Sequence, residues 1–384
     1  MKRTSYYSEY GERPAVRSRR SLLLHLLDGL ITLLTVAVAA VMAITYLVPY
    51  VNPGRIWFLP VLGLAAPAVY VASVILMLYW IIRWRWIQAG IMLVLVVLGL
   101  GRVSLFWRPE IRRSYEEIVS DRGTVKVMTY NVRSFYGPDG ESSVEGIVDL
   151  IREQNPDIVC LQEFNGRLAG GSDSFRLLLD SYDISRFDET RDSGDSEVPE
   201  DTGLVILSKY RILRSATVLT PHSSSWADLL VDEDTLRVFN NHLHSTAINA
   251  DDNEYITTRR FLSDTAREVK FRSIVSRLRA NSELRAAQVD SISTEIRATR
   301  WGRLVCGDFN DTPVSYVYRR MAAGLNDAFS ECGSGYSHTY RGFFNTLRID
   351  YVLCSEPWQA ITYEVLPAEY SDHYPVVVRL KRES

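Results

Sequence analysis

Three long apolar stretches crowd into the N-terminal third of the chain, and they limit its fold more than any other feature. Gly29 to Val51 carries no charge and is long enough to cross a bilayer core of about 30 Å. Trp57 to Ile82 is a second such stretch. Ile87 to Trp107 is a third, interrupted only by Arg102 near its end. The first run is too long for a cleaved leader and two more follow it, so a membrane anchor of about three spanning helices is expected. The competing reading is a buried helical hairpin in a soluble protein. Trp57, Tyr79, Trp80, Trp84, Trp86 and Trp107 mark the ends of the runs, where aromatic rings favour the lipid–water interface. Arg102 is expected to snorkel or to pair with a neighbouring helix.

Charge divides the chain at the same place. Residues up to Ser120 carry a net +7 and the remainder −10, giving −3 overall. This split predicts a basic tail (residues 1–28), the anchor (29–107), a charged linker (108–124) and a soluble domain (125–384). Lys2, Arg3, Arg13, Arg17, Arg19 and Arg20 before the first span place the N-terminus in the cytoplasm, and Arg83 and Arg85 do the same for the turn after the second. Three spans then put the domain on the far side of what reads as a bacterial plasma membrane. Arg108, Arg112 and Arg113 oppose that sidedness, and two spans would return the domain to the cytoplasm. The acidic domain disfavours a general nucleic-acid binder, which needs a basic face, without excluding a local groove. Cys160, Cys306, Cys332 and Cys354 show no metal spacing, and the first, second and fourth sit in strand-like runs as buried free thiols.

From Val125 short apolar runs alternate with turns and helices. Strands are expected at Val125–Val132, Ile158–Gln162, Gly203–Ser208, Thr235–Leu243, Arg303–Gly307, Arg348–Leu353 and Pro375–Leu380. Ser143–Glu153 reads as an amphipathic helix, and Ile256–Thr299 as one or two long helices with many charge pairs one turn apart. Glu189–Asp201 reads as an exposed acidic loop, and the Gly-rich, aromatic segment Ser330–Phe344 as a loop near a site. Strands mixed with helices in this way imply packed sheets with helices outside.

Polar residues gather at the ends of those strands: Asn131, Glu163, His242, Asp308 and Asn310 in Gly-Asp-Phe-Asn, Asp350, and Asp372 and His373 in Ser-Asp-His. Carboxylates and amide oxygens without thiolates suit a hard cation: Mg²⁺ first, with Mn²⁺ and Ca²⁺ as alternatives. Histidines among them suit proton transfer and phosphate contact. Taken singly, several have duller readings. Asn131 could cap a turn, Asp308 and Asn310 could form an Asx turn, His242 could be a core histidine, and Asp350 could pair with Arg348.

In order and in kind, these segments resemble the endonuclease/exonuclease/phosphatase superfamily, which includes deoxyribonuclease I, abasic-site endonucleases, inositol-polyphosphate 5-phosphatases and bacterial sphingomyelinases. The resemblance runs from about Val125 to Arg379. It implies an α+β fold, a two-sheet β-sandwich flanked by helices on both faces, preceded here by the transmembrane helices, with the site at one edge of the sandwich. It also implies roles. Glu163 would be the main metal ligand, with Asn131 and Asp372 near the same ion. Asp308 would orient or deprotonate water, and Asn310 would hold a phosphate oxygen. His242 would bind phosphate or assist the leaving group. Asp350 would fix His373, which would contact the phosphate or act as base. His244, Arg285 and Gln288 read as packing around the site.

The function expected is that of a membrane-anchored, divalent-metal-dependent phosphoesterase acting on a phosphodiester or phosphomonoester, with a lipid headgroup or small phosphoester favoured. A metal-dependent nuclease is the first alternative. The second is a non-catalytic binding protein of the same fold, which the intact polar set disfavours.

Overall fold

The computed structural model describes residues 19–110, 123–188, 202–218, 223–245 and 264–383. The tail up to residue 18, most of the linker, the acidic stretch 189–201 and the first turns of the long helix expected from Ile256 lie outside them.

Helices α1 (Arg19–Thr45), α2 (Leu59–Ile82) and α3 (Trp86–Val103) form the N-terminal unit, and all three are long and apolar enough to cross a membrane. Their polar groups turn inward onto one another. Asp28 accepts hydrogen bonds from Arg83 at 2.6 and 2.9 Å and from the Tyr79 hydroxyl at 2.7 Å. Trp80 Nε1 donates to Thr35 Oγ1 at 2.8 Å. Arg102 donates to the carbonyls of Thr45 and Tyr46 at 3.0 and 2.8 Å. A helix end leaves carbonyls without partners, so the one charge inside the third run satisfies the C-terminus of α1.

Two six-stranded sheets follow. The first has the order β13-β14-β2-β3-β5-β4 and the second β10-β12-β9-β8-β7-β6, while β1 and β11 form a separate pair. The first sheet comprises β2 (Thr124–Asn131), β3 (Ile158–Asn165), β4 (Asp183–Asp188), β5 (Thr202–Ser208), β13 (Trp358–Val365) and β14 (Val376–Arg382). The second comprises β6 (Ile212–Thr217), β7 (Ser224–Val231), β8 (Asp234–His242), β9 (Gly302–Asp308), β10 (Asn326–Asp327) and β12 (Asp350–Cys354). The pair is β1 (Trp107–Arg108) with β11 (Gly335–Tyr336). The inner faces meet through Val127, Cys160, Ile206, Val238, Leu304, Val352 and Val378, all at most 1% exposed. The outer face of the first sheet carries α4 (Val144–Gln154), α5 (Gly166–Gly171) and α6 (Asp173–Leu179). That of the second carries α7 (Asp264–Ala298) and α8 (Tyr316–Met321), with α9 (Ala328–Cys332) between β10 and β11.

This is the expected two-sheet sandwich with helices on both faces. Every strand read from the sequence is present, and the long charged helix is one continuous element. The cysteines are free, with Cys160, Cys306 and Cys354 buried. Four longer strands went unread. β4, β6 and β13 are sheet edges, where one flank is unpaired and the apolar alternation weakens. β7 is interior but carries buried Asp228, held by Arg237 at 2.6 and 2.9 Å and by Arg214 at 2.9 Å, so an ion cluster masks its pattern.

Candidate active site

At one edge of the sandwich the ends of β2, β3, β8, β9 and β12 converge with the loop before β14. Two local devices aim the side chains. On β3, Gln162 and Glu163 together stand opposite the single Leu204, and Glu163 takes φ +51°. Such a bulge re-aims a side chain and bends the strand, and here it turns Glu163 toward the second sheet. On β9, Gly307 has φ +125°, and a Cβ there would lie 2.0 Å from the Asn241 carbonyl oxygen, so only glycine fits where β8 and β9 approach.

Asn131 binds the two sheets' carboxylates together. Its Nδ2 donates to Glu163 Oε1 at 2.8 Å and to Asp308 Oδ2 at 3.1 Å, while its Oδ1 accepts from the Arg133 amide at 3.0 Å. Asp308 also accepts from the Asn310 backbone at 2.8 Å and side chain at 3.1 Å. The Asx turn is therefore real, and it positions the Asp308 carboxylate. His242 pairs in register with Asp308 and brings Nε2 within 3.5 Å of Glu163. His373 Nδ1 lies 3.0 Å from Asp350 Oδ2, and its Nε2 lies 3.7 Å from Asp308. Ser371 Oγ, bonded to the Asn131 carbonyl at 2.8 Å, accepts from the His373 amide at 3.2 Å and fixes the Ser-Asp-His loop. Asp372, half-exposed, lies 3.8 Å from Arg133.

The electrostatics follow from burial. Loss of solvent pushes Glu163 above the ordinary carboxylate range; Asp372 adds to the push, while His242, the Asn131 hydrogen bond and His373 oppose it. Burial likewise raises Asp308, against His373 and with Asp350. Burial alone would lower His373, but Asp350 and Asp308 outweigh it and hold the imidazole well above its usual value. The two carboxylates thus favour the protonated imidazole, which suits phosphate contact better than the role of free base.

All eight residues singled out at the strand ends belong to this one constellation. Two further readings are resolved. Asp350 does not pair with Arg348, which instead binds Asp327 through two hydrogen bonds of 3.0 and 2.8 Å, fully buried against Phe329 and Tyr351. The reason is positional: β12 starts only at Asp350, so Arg348 lies before the strand and the expected alternation does not reach it. Arg285 and Gln288 reach under the site to the backbone of His244, donating to its carbonyl at 2.9 Å and accepting from its amide at 2.9 Å.

Other contributors were not legible. Gln162 Nε2 donates to Asn240 Oδ1 at 2.6 Å and ties the two sheets beneath the site. Thr339 Oγ1 accepts from the amides of Ile349 and Asp350, both at 3.0 Å. The Tyr340 ring lies 5.0 Å from that of His373. The aromatic segment did signal nearness to a site, but not which of its residues arrive. A cavity of about 130 Å³ opens over the group, lined by Glu163, Asp308, Asn310, Asp372 and His373 together with Tyr340 and Phe343.

The donor chemistry fits a hard divalent cation. Glu163, Asp308 and Asp372 face one cavity, and burial of the first two leaves negative charge in need of a counter-charge. Asp308, Asp350 and His373 form a second possible ligand group, with atoms mutually within 4.8 Å. There His373 Nδ1 is already engaged by Asp350, and Asp350 Oδ1 has no hydrogen-bond partner among the described residues.

A sequence profile of the Endonuclease/Exonuclease/phosphatase family matches residues 128–373, and one for a domain of unknown function (DUF8431) matches residues 28–106. No curated protein matches the chain. Among solved structures, an endonuclease/exonuclease/phosphatase family protein from Bacteroides thetaiotaomicron is similar at 18% identity and TM-score 0.48, over 68% of this chain and 98% of its own. The human Nocturnin catalytic domain with bound sulfate is similar at 18% identity and TM-score 0.46, over 68% and 94%. A mannosyl-6-phosphatase from Bacteroides thetaiotaomicron is similar at 17% identity and TM-score 0.47, over 67% and 99%.

Proposed function

The chain belongs to the endonuclease/exonuclease/phosphatase family, whose members are typically phosphoester hydrolases, and from that premise we propose that it is a membrane-anchored, divalent-metal-dependent phosphoesterase. The observation that carries the reading is the Asn131 bridge between Glu163 and Asp308, with His242 beside the first and His373 beside the second. Charge on a phosphoester must be neutralised, a water activated and a leaving group stabilised, and these residues divide that work. A divalent cation, Mg²⁺ in our reading, held by Glu163 and Asp372 with Asn131 beside them, would supply Lewis-acid neutralisation of the phosphoryl oxygens. Asp308, whose proton affinity burial increases, takes the proton of the attacking water. His242 donates to a phosphoryl oxygen, and Asn310 does so by releasing one of its two amide hydrogen bonds, to the Leu243 carbonyl or to Asp308. His373, oriented by Asp350 and with its protonated form favoured by Asp350 and Asp308, contacts the phosphate.

Membrane insertion is part of the proposal. The catalytic domain packs at the C-terminal ends of α1 and α3 and the N-terminal end of α2: Arg319 lies 4.3 Å over the Tyr50 ring, and Trp107 pairs with Tyr336. Arg19, Arg83 and Arg85 lie at the opposite ends, so the positive-inside rule assigns the domain to the extracytoplasmic side. Lipid headgroups and small phosphoesters are the favoured substrates.

The test is an assay of the full chain on bis-p-nitrophenyl phosphate, phospholipids, inositol phosphates and DNA with Mg²⁺, Mn²⁺, Ca²⁺ or chelator. Metal-dependent hydrolysis that disappears in Asp308→Asn is expected. Hydrolysis indifferent to chelator would overturn the metal assignment, and full activity in the variant would overturn the residue assignment.

A further inference from the structure

The catalytic cavity is not walled by the catalytic domain alone. Leu64, on apolar helix α2, lines it together with Glu163, Asp308 and His373. Three residues further along α2, Pro67 lines a second, half-open cavity of about 170 Å³ to which all three apolar helices contribute, together with Trp107, Val314 and Tyr336. Residues three apart are neighbours on one helix face, so a single face of α2 passes from one cavity to the next. A second link runs through the sandwich: Tyr336 lines the apolar cavity and begins the segment whose Tyr340, Phe343 and Leu347 line the catalytic one.

The polar atoms around the second cavity are already engaged. The Tyr46 and Tyr70 hydroxyls donate to the carbonyls of Leu95 and Val96, and Arg102 is taken up by the carbonyls of Thr45 and Tyr46. What faces the space is hydrocarbon and aromatic ring, a lining that holds water poorly and an alkyl chain well. The cavity sits at the domain-proximal ends of the three helices, at residues 42–46, 66–71 and 99–103. A water-soluble phosphoester would leave it unused.

We infer that the substrate is a phosphorylated amphiphile of the surrounding bilayer, with its phosphoester among Glu163, Asp308 and His373 and its hydrocarbon chain seated between α1, α2 and α3. This deepens the phosphoesterase reading above and rests on it.

Two esters with the same reacting diester and leaving group separate the two ideas: methyl p-nitrophenyl phosphate and hexadecyl p-nitrophenyl phosphate, given with Mg²⁺ or Mn²⁺ to the full chain in phosphatidylcholine nanodiscs. The hexadecyl ester is expected to have a kcat/KM at least about tenfold higher, since each methylene removed from water contributes roughly 0.8 kcal/mol. Partition into the bilayer alone would give some preference, so Ala66→Phe and the milder Ala66→Leu fill the apolar cavity; the hexadecyl-to-methyl ratio should fall at least tenfold in the first and less in the second. Equal rates for the two esters in the unaltered chain, or a ratio untouched by either variant, would overturn the inference and leave the phosphoesterase reading standing. Hydrolysis of neither ester would overturn both. If Ala66→Phe fails to insert, Ala66→Leu and an octyl ester decide by the same ratio.

Discussion

The two halves of this molecule sort their residues in opposite senses. In the three-helix unit the surface is apolar, with Leu33 71%, Ile82 75% and Ile87 79% exposed, while Asp28, Thr35 and Ser73 are buried. In the sandwich the aliphatic side chains turn inward, and Val127, Ile206 and Leu304 are fully buried. Each arrangement minimises the contact of the wrong groups with a surrounding medium: water for the sandwich and, on our proposal, hydrocarbon for the helices. The contrast extends to buried polar groups. Those of the helices are short, mutually satisfied contacts that hold helix to helix. Those of the sandwich divide: buried Asp228 and Asp327 are paired with arginines, whereas at one edge Glu163 and Asp308 are left with raised proton affinity. The paired groups are neutralised by their neighbours, whereas the carboxylates at that edge hold their charge less readily and so favour a proton or a cation.

The sharpest way to break the comparison is fractionation. The full chain should remain with membranes after an alkaline carbonate wash, while a fragment beginning at Thr124 should be released into the supernatant; release of the full chain would remove the premise of a hydrocarbon-facing unit. Next in size is the catalytic edge. Asp308→Asn should lower kcat/KM on bis-p-nitrophenyl phosphate by about 10²- to 10⁴-fold, the range for a lost general acid–base group, with the circular dichroism spectrum unchanged. A loss below threefold would move the charge-bearing role elsewhere. Structural ion pairs in the sandwich should come third. Arg348→Met leaves Asp327 buried without its partner and should cost about 3–5 kcal/mol in urea unfolding of the Thr124 fragment, an effect that a surface pair would not approach. The smallest belongs to the helices: Thr35→Val removes the Trp80 contact and should cost only about 0.6 kcal/mol in detergent, the average for an interhelical hydrogen bond in a membrane. A cost as large as that of Arg348→Met would mean that the two units do not differ in how they use buried polarity.

Much of this was legible along the chain. The three apolar runs became α1, α2 and α3; the bounds of α2 and α3 lie within four residues of those read, while α1 starts at Arg19, well before Gly29, and ends at Thr45. Asn131, Glu163, His242, Asp308, Asn310, Asp350, Asp372 and His373 stood out because polar residues at the ends of apolar strands are unusual, and all eight meet. What escaped notice was non-local or irregular. The β3 bulge has no periodic signature, because it is a departure from period. The edge strands carry weak patterns because half their surroundings are solvent. The Arg348–Asp327 pair joins residues with no helical or strand spacing between them. Leu64 is indistinguishable by hydropathy from its neighbours in α2, yet it alone of that helix lines the catalytic cavity.

Local chemistry, read residue by residue, was enough to separate an apolar helical part from an acidic part of packed sheets and helices and to single out its polar strand-end residues; the two-sheet sandwich and the phosphoester roles came from the family resemblance. Hydropathy and strand period depend on neighbours in the chain, so they survive in one dimension. Only the tertiary structure decided that Glu163 and Asp308 share one Asn131 amide, that Asp350 serves His373 rather than Arg348, and that Leu64 of an N-terminal apolar helix lines the cavity over them. Those relations are distances between segments far apart in sequence, and they exist only once sheet packing and helix docking have brought the segments together.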